Sequence, residues 1–155
     1  MKKIPNEFIG SLAGWFGYHQ GIAIKTGKKL TRSQMDLAIT IGCNQPDKIR
    51  ILFVSKMPEV KSQMLSKVMD QAGFNFGDAY GLCLGYGIYI LKGGKGDSRV
   101  LAHELTHTLQ FERLKSARAF LLTYVNQYIL FGYKDMPLEK EARTNEKLGP
   151  RMLDR

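Results

Sequence analysis

The chain has 155 residues, 44% of them hydrophobic, which is enough apolar material to give one compact domain, residues 1–155, a real core. Its 23 Lys and Arg against 14 Asp and Glu leave a formal net charge of +9; the basic residues are scattered and not interleaved with aromatics, so no nucleic-acid role is expected. Two cysteines, Cys43 and Cys83, exclude a disulfide framework, and no window reaches the about 18 consecutive apolar residues that span a bilayer.

Lys2 and Lys3 precede an apolar stretch from Phe8 to Phe16, superficially like a secretion signal, but Pro5, Asn6 and Glu7 intervene and no small-residue cleavage site follows. A cytoplasmic chain with reduced thiols is the expectation. Four glycines weaken a helix over residues 6–24, so residues 1–30 read as a lid or a packing segment. Thr31 is placed to cap a helix through Ile41, with Gly42 as its left-handed stop. Ile49 to Val54 is a β-branched and aromatic run of strand length. Glu59 to Ala72 has Val60, Met64, Leu65, Val68 and Met69 at helical spacing, with Gly73 as its stop. Ala79 to Leu91 is punctuated by Gly81, Gly85 and Gly87 and predicts one kinked strand or two paired ones, followed by a turn at Gly93, Gly94 and Gly96.

Asp97 or Ser98 can cap a helix to Lys115 whose interior lacks Gly and Pro. A helix from Ala117 to Phe131 and another from Leu138 to Leu148, stopped by Gly149-Pro150, complete the chain. With strands early and helices late, the class is α+β, with a small mixed or antiparallel sheet.

Inside the capped helix stands His103-Glu104-Leu105-Thr106-His107. Histidines at i and i+4 project from one face about one turn apart, and both imidazoles can then reach a single Zn²⁺. Glu104, on the flank of that face, can reach a water beside the metal and take its proton. Leu101, Leu105, Thr108 and Leu109 would pack to one side, leaving Val100, His103, His107 and Gln110 to line a cleft. A catalytic zinc site needs a third protein ligand. His19 is far upstream and reads as a surface histidine, so the ligand falls to Glu139 or Glu141, of which a helix can present only one.

His103-Glu104-x-x-His107, followed 32 positions after the second histidine by Glu139-x-x-Ala142, resembles the gluzincins, thermolysin-like zinc peptidases of the zincin class. Residues 40 to 145 are also similar to a group of short bacterial zincin-like proteins. The resemblance implies an active-site helix and a later glutamate helix, with His103, His107 and Glu139 as zinc ligands and Glu104 as general base. It implies a metallopeptidase acting on a peptide or protein substrate. Many gluzincins have Asp where this chain has Arg143, so Asp135, Glu112 or Glu141 would support the histidines instead. The strand from Tyr86 to Leu91 would line the cleft and pair with substrate, Tyr133 or Tyr128 would serve the oxyanion, and Lys92 and Lys95 would favour acidic substrates. Two other classes fit the same motif: a zinc-binding interaction domain without catalysis, and a hydrolase of small amides or esters.

Overall fold

The computed structural model describes residues 4–71, 79–94 and 97–154. The first element is a helix, α1 (Asn6–Thr26), in the glycine-rich segment where helix was least expected. Gly10, Gly14, Gly17 and Gly21 all sit on its exposed side, while Ile9, Leu12, Phe16 and Ala23 are buried. Each such glycine costs up to about 1 kcal/mol relative to Ala, but burial of the opposite face outweighs that propensity term. The segment is therefore a core helix packed on the sheet and on a later helix, and not a detachable lid.

A short strand, β1 (Lys28–Lys29), leads to α2 (Arg32–Ile41). Thr31 and Gln34 form a reciprocal capping box, and Gly42 at φ 120° ends the helix as its position in sequence predicts. After β2 (Arg50–Val54) the expected long helix is shorter, α3 (Gln63–Gln71). Its start is set by Ser62, whose Oγ accepts from the Leu65 N–H at 3.3 Å, and Glu59 is instead held outside the helix by a bond from Trp15 Nε1 to its carbonyl. The expected end at Ala72 and Gly73 lies outside the described residues, as do Lys95 and Gly96 of the predicted turn.

The Gly-punctuated run resolves into two paired strands, β3 (Gly81–Leu84) and β4 (Gly87–Leu91), in an antiparallel hairpin. Gly85 turns it at φ 70°, a conformation glycine adopts without strain, and a Cβ there would come within 2.3 Å of Gln20 Oε1. The sheet is mixed, in the order β1-β2-β4-β3, with β2 and β4 parallel. This corrects the expectation that Tyr86 to Leu91 forms the free cleft strand: β4 is paired on both sides and β3 holds the edge. Ile51, Ile88 and Ile90 face one core with α2, while Leu52, Tyr89 and Leu91 face the other with α1.

Asp97 caps α4 (Ser98–Leu114), accepting from the Arg99 N–H, and Lys115 closes it in the left-handed region at φ 72°. Ser116 then caps α5 (Ala117–Asp135), which is broken at Gly132, φ 74°. α6 (Pro137–Asn145) has proline at its start, and α7 (Leu148–Leu153) runs through the Gly149-Pro150 pair expected to stop a helix. Pro150 lies in the first turn of α7, where a missing N–H loses no helical bond. Helices thus flank the strands on both sides in sequence, and α4 is the central one, packed by α2, α5, α6, α7, β3 and β4.

No helix among the described residues is long and apolar enough to cross a membrane. Both cysteines are free and buried, with the Cys43 thiol pushed up to about 12 chiefly by burial, so neither is a ready thiolate.

The glycines make opposite predictions. A Cβ at Gly149 would lie 2.1 Å from the Ser98 carbonyl oxygen, so Gly149→Ala should destabilise by roughly 1–3 kcal/mol in urea unfolding. Nothing lies within 4 Å of a Cβ at Gly14, and Gly14→Ala should stabilise by about 0.5–1 kcal/mol in the same assay.

Candidate metal centre

α4 is buried on nearly every side, and it carries polar side chains into that interior: Glu104, Thr106, His107, Thr108 and Gln110 are all buried. Buried polar groups need partners. Thr106 Oγ1 bonds back to the Ala102 carbonyl and accepts from Asn145 Nδ2; Thr108 Oγ1 donates to the Gly85 carbonyl. These bonds lock the helix to the hairpin and to α6 and leave His103 and His107 directed at a common point.

Glu139, in the first turn of α6, is 2% exposed and arrives at that same point. His103 Nε2 lies 3.0 Å from Glu139 Oε2, His107 Nε2 lies 3.2 Å from Glu139 Oε1, and the two Nε2 atoms are 3.2 Å apart. Among the described residues, these three offer donor atoms within 4.8 Å of one another, close enough to share a metal ion. Glu141 is turned away, to Arg113 at 3.1 Å and to Gln110 at 2.7 Å. Of the two glutamates, Glu139 alone belongs to the donor group.

The surrounding bonds fix which ring nitrogens are bare. Gln110 Nε2 donates to the Leu138 carbonyl at 2.9 Å and to Glu141, both acceptors, so its Oε1 must face His107. That oxygen lies 2.8 Å from His107 Nδ1, and Glu146 Oε1 lies 2.8 Å from His103 Nδ1. Both Nδ1 atoms therefore donate, and in the neutral rings each Nε2 has a lone pair aimed into the cluster. Glu139 Oε2 is also a buried atom without a hydrogen-bond partner. Two lone pairs and a carboxylate crowded together in a low-dielectric interior repel one another unless a positive charge stands between them. The donor set fits a divalent cation.

The titration of these groups expresses the same demand. A proton on Nε2 can take the cation's place: burial by itself would depress His103, but its bond to the Glu139 carboxylate and the charges of Glu104 and Glu139, with Glu146 behind, raise it to about 9. Burial would likewise push the Glu139 carboxyl up, yet bonds from the protonated His103 and His107 rings and from Tyr124 hold it well below the usual carboxylate range. Glu104 is raised, first by burial, against the lowering effect of His107 and His103.

Glu104 stands outside the donor group but lines the same cavity of about 480 Å³. The Cys83 backbone hydrogen-bonds its carboxylate, and Gly81 lets β3 approach, since a Cβ there would lie 2.8 Å from Glu104 Cγ. The walls from α1 and β3 are largely apolar, with Leu12, Phe16, Leu82 and Leu84, while α5 adds Phe120 and Val125 together with tyrosines.

Several expectations need correction. Of the three acids expected to support the histidines, only Glu141 reaches one, through Gln110. Glu112 instead accepts from the Asn44 and Gln45 backbone and from the Tyr86 hydroxyl, and Asp135 is exposed near Lys140. Gln110, expected to line the cleft, is fully buried behind His107. His19, by contrast, is partly exposed as expected and packs its ring against Trp15 and Tyr18, away from the donor group. Lys92 borders a different hollow, next to Thr26 and Lys28, and no lysine or arginine lines the cavity among the described residues.

Two functional residues escaped the sequence reading. Glu146 stands seven residues after Glu139, two helical turns on, a spacing that could have revealed it. Tyr124 gave no such signal; its hydroxyl donates to Glu139 Oε1 at 2.6 Å. Tyr128 and Tyr133, the two tyrosines singled out from sequence, do line the cavity.

Comparison with protein-family models, with curated proteins and with solved structures finds no match for the chain. What the site can do is therefore read from its own donors.

Gln110→Ala and Tyr124→Phe should each weaken divalent-metal affinity by about 10–100-fold in chelator competition, since each removes a bond that orients a donor. Glu112→Ala should leave that affinity unchanged while lowering the melting temperature, because its bonds serve the loop after α2.

Proposed function

We propose that the chain is a zinc-dependent hydrolase of the zincin type that cleaves peptide bonds. The observation that carries this reading is the convergence of two bare imidazole Nε2 atoms and the unpartnered Glu139 Oε2 beside a separate buried carboxylate, Glu104, in one apolar cavity. A set of two histidines and one glutamate suits zinc with a coordination position left open. His103, His107 and Glu139 would hold the ion, which when bound supplies Lewis acidity toward a carbonyl and toward water.

The other steps belong to the protein. Glu104, held by the Cys83 backbone, takes a proton from the attacking water and returns it to the leaving nitrogen. Its raised affinity for protons, a product of burial, suits a group that must both accept and release one. The edge strand β3, which lines the cavity, is available for an extended peptide to pair with. Tyr133, at the cavity wall, can donate to the oxygen that becomes negative as the carbonyl is attacked. The apolar lining favours substrates with uncharged side chains next to the cleaved bond, in place of the acidic preference that Lys92 and Lys95 suggested.

Elemental analysis of the purified protein should find about one zinc per chain, lost in His103→Ala and strongly reduced in Glu139→Gln. Glu104→Gln should keep its zinc and its melting temperature while peptide-library cleavage falls by at least about 10²-fold. A Glu104→Gln variant as active as wild type would remove the hydrolase reading; a wild type without zinc would remove the metal.

A further inference from the structure

The end of α5 is not packed like the rest of the helix. Its first turns send Phe120, Leu121 and Val125 into the core, but Ile129, Leu130 and Phe131 are 49%, 57% and 52% exposed, and Tyr133 is 52% exposed. Successive residues on a helix point about 100° apart, so three in a row cannot all be open unless the helix end itself projects from the body. Gly132 breaks the helix within this stretch, and nothing lies within 4 Å of the space a Cβ would take there. Single exposed apolar side chains are ordinary, but an aliphatic and aromatic run gathered at one projecting end is a binding feature.

The rim of this end is basic. Lys134 and Lys140 are exposed, and the Arg143 guanidinium lies 5.8 Å from the centre of the Tyr133 ring while bonding the Lys134 carbonyl. Of the acids nearby, Glu139 is buried in the donor cluster and Glu141 pairs with Arg113, while the exposed Asp135, 3.9 Å from Lys140, offsets one of the three basic groups and leaves two in excess. The local excess of positive charge has the same sign as the net +9 of the chain.

We propose that this end of α5 docks on an anionic lipid membrane surface. Ile129, Leu130 and Phe131 enter the boundary between headgroups and acyl chains, and Lys134, Lys140 and Arg143 meet the anionic headgroups. A bilayer fits better than a folded partner or a second copy, because a stable protein interface draws on about 20–30 residues a side and a projecting tip of four apolar side chains offers far fewer. A bilayer accepts a small convex tip without shape matching. Tyr128 and Tyr133 line the cavity, so docking would set the cavity beside the membrane surface. The docking itself does not depend on the hydrolase reading.

Co-sedimentation of the full chain with vesicles tests it. The protein should pellet with vesicles of phosphatidylglycerol mixed with phosphatidylcholine, should stay in solution with phosphatidylcholine alone, and should be released as salt is raised. Ile129→Ser combined with Phe131→Ser should reduce pelleting by about tenfold or more, with the circular dichroism spectrum and metal content of wild type. Should that variant fail to fold, Lys134→Glu with Lys140→Glu, both at exposed positions, should reduce it similarly. Equal binding to neutral and anionic vesicles overturns the proposal, and so does binding to neither. A wild-type dimer that Phe131→Ser turns into monomer, without vesicle binding, would make the tip a contact between copies and overturn it as well.

Discussion

The contact of Glu139 with His103 and His107 is the constraint around which the rest of the chain is arranged. Two ring nitrogens, left as acceptors because Gln110 and Glu146 hold the ring protons on the Nδ1 atoms, and the Glu139 carboxylate meet at 3.0–3.2 Å inside the protein. Such a cluster is unstable as an empty arrangement of lone pairs. A cation between them, whether a proton or a metal ion, turns mutual repulsion into attraction, and the low local dielectric magnifies both. The raised His103 and the depressed Glu139 are two expressions of that one demand.

Meeting the demand dictates the packing of α4 and α6. α4 has to be buried, because an exposed histidine pair would be screened by water, and this places Thr106, Thr108 and Gln110 where each must find an internal partner. They find it in the β3–β4 turn, in Asn145 of α6 and in the Leu138 carbonyl, so the bonds that satisfy the helix also fix its distance from both neighbours. α6 begins at Pro137 directly after the buried Met136, and Gln127 Oε1 accepts from the Leu138 N–H at 2.9 Å, so its first turn, with Glu139, is anchored to α5. The break at Gly132 allows the chain to leave α5 and re-enter the core within five residues.

α1 supplies the opposite wall. It closes over the sheet with Phe16 and Leu12 toward the cavity, and Tyr89 ties to it through a 2.6 Å bond to the His19 carbonyl. The cavity is thus polar along α4, α6 and the tyrosines of α5, and apolar toward α1 and β3. That asymmetry concentrates the electric field of Glu104 and of any bound ion on whatever occupies the apolar side.

The local features of this chain were legible in its order of residues, because they depend on neighbours within a turn or two. Thr31 and Gly42 bound α2, Asp97 starts α4, and the strand before Pro58 stands where its β-branched residues put it. The i, i+4 pair His103 and His107 is of the same kind, since helical periodicity alone puts both rings on one face. Spacing could narrow the third donor to Glu139 or Glu141 and go no further. What only the tertiary structure decided were relations between distant segments. The glycine-rich α1 is helical because its apolar face is buried against the sheet; β3 rather than β4 is the edge because β2 pairs in parallel with β4; and Glu139 rather than Glu141 joins the histidines because Arg113 and Gln110 claim the other. Each of these is settled by burial energy and hydrogen-bond satisfaction across the fold, and neither quantity is written in any short window of the sequence.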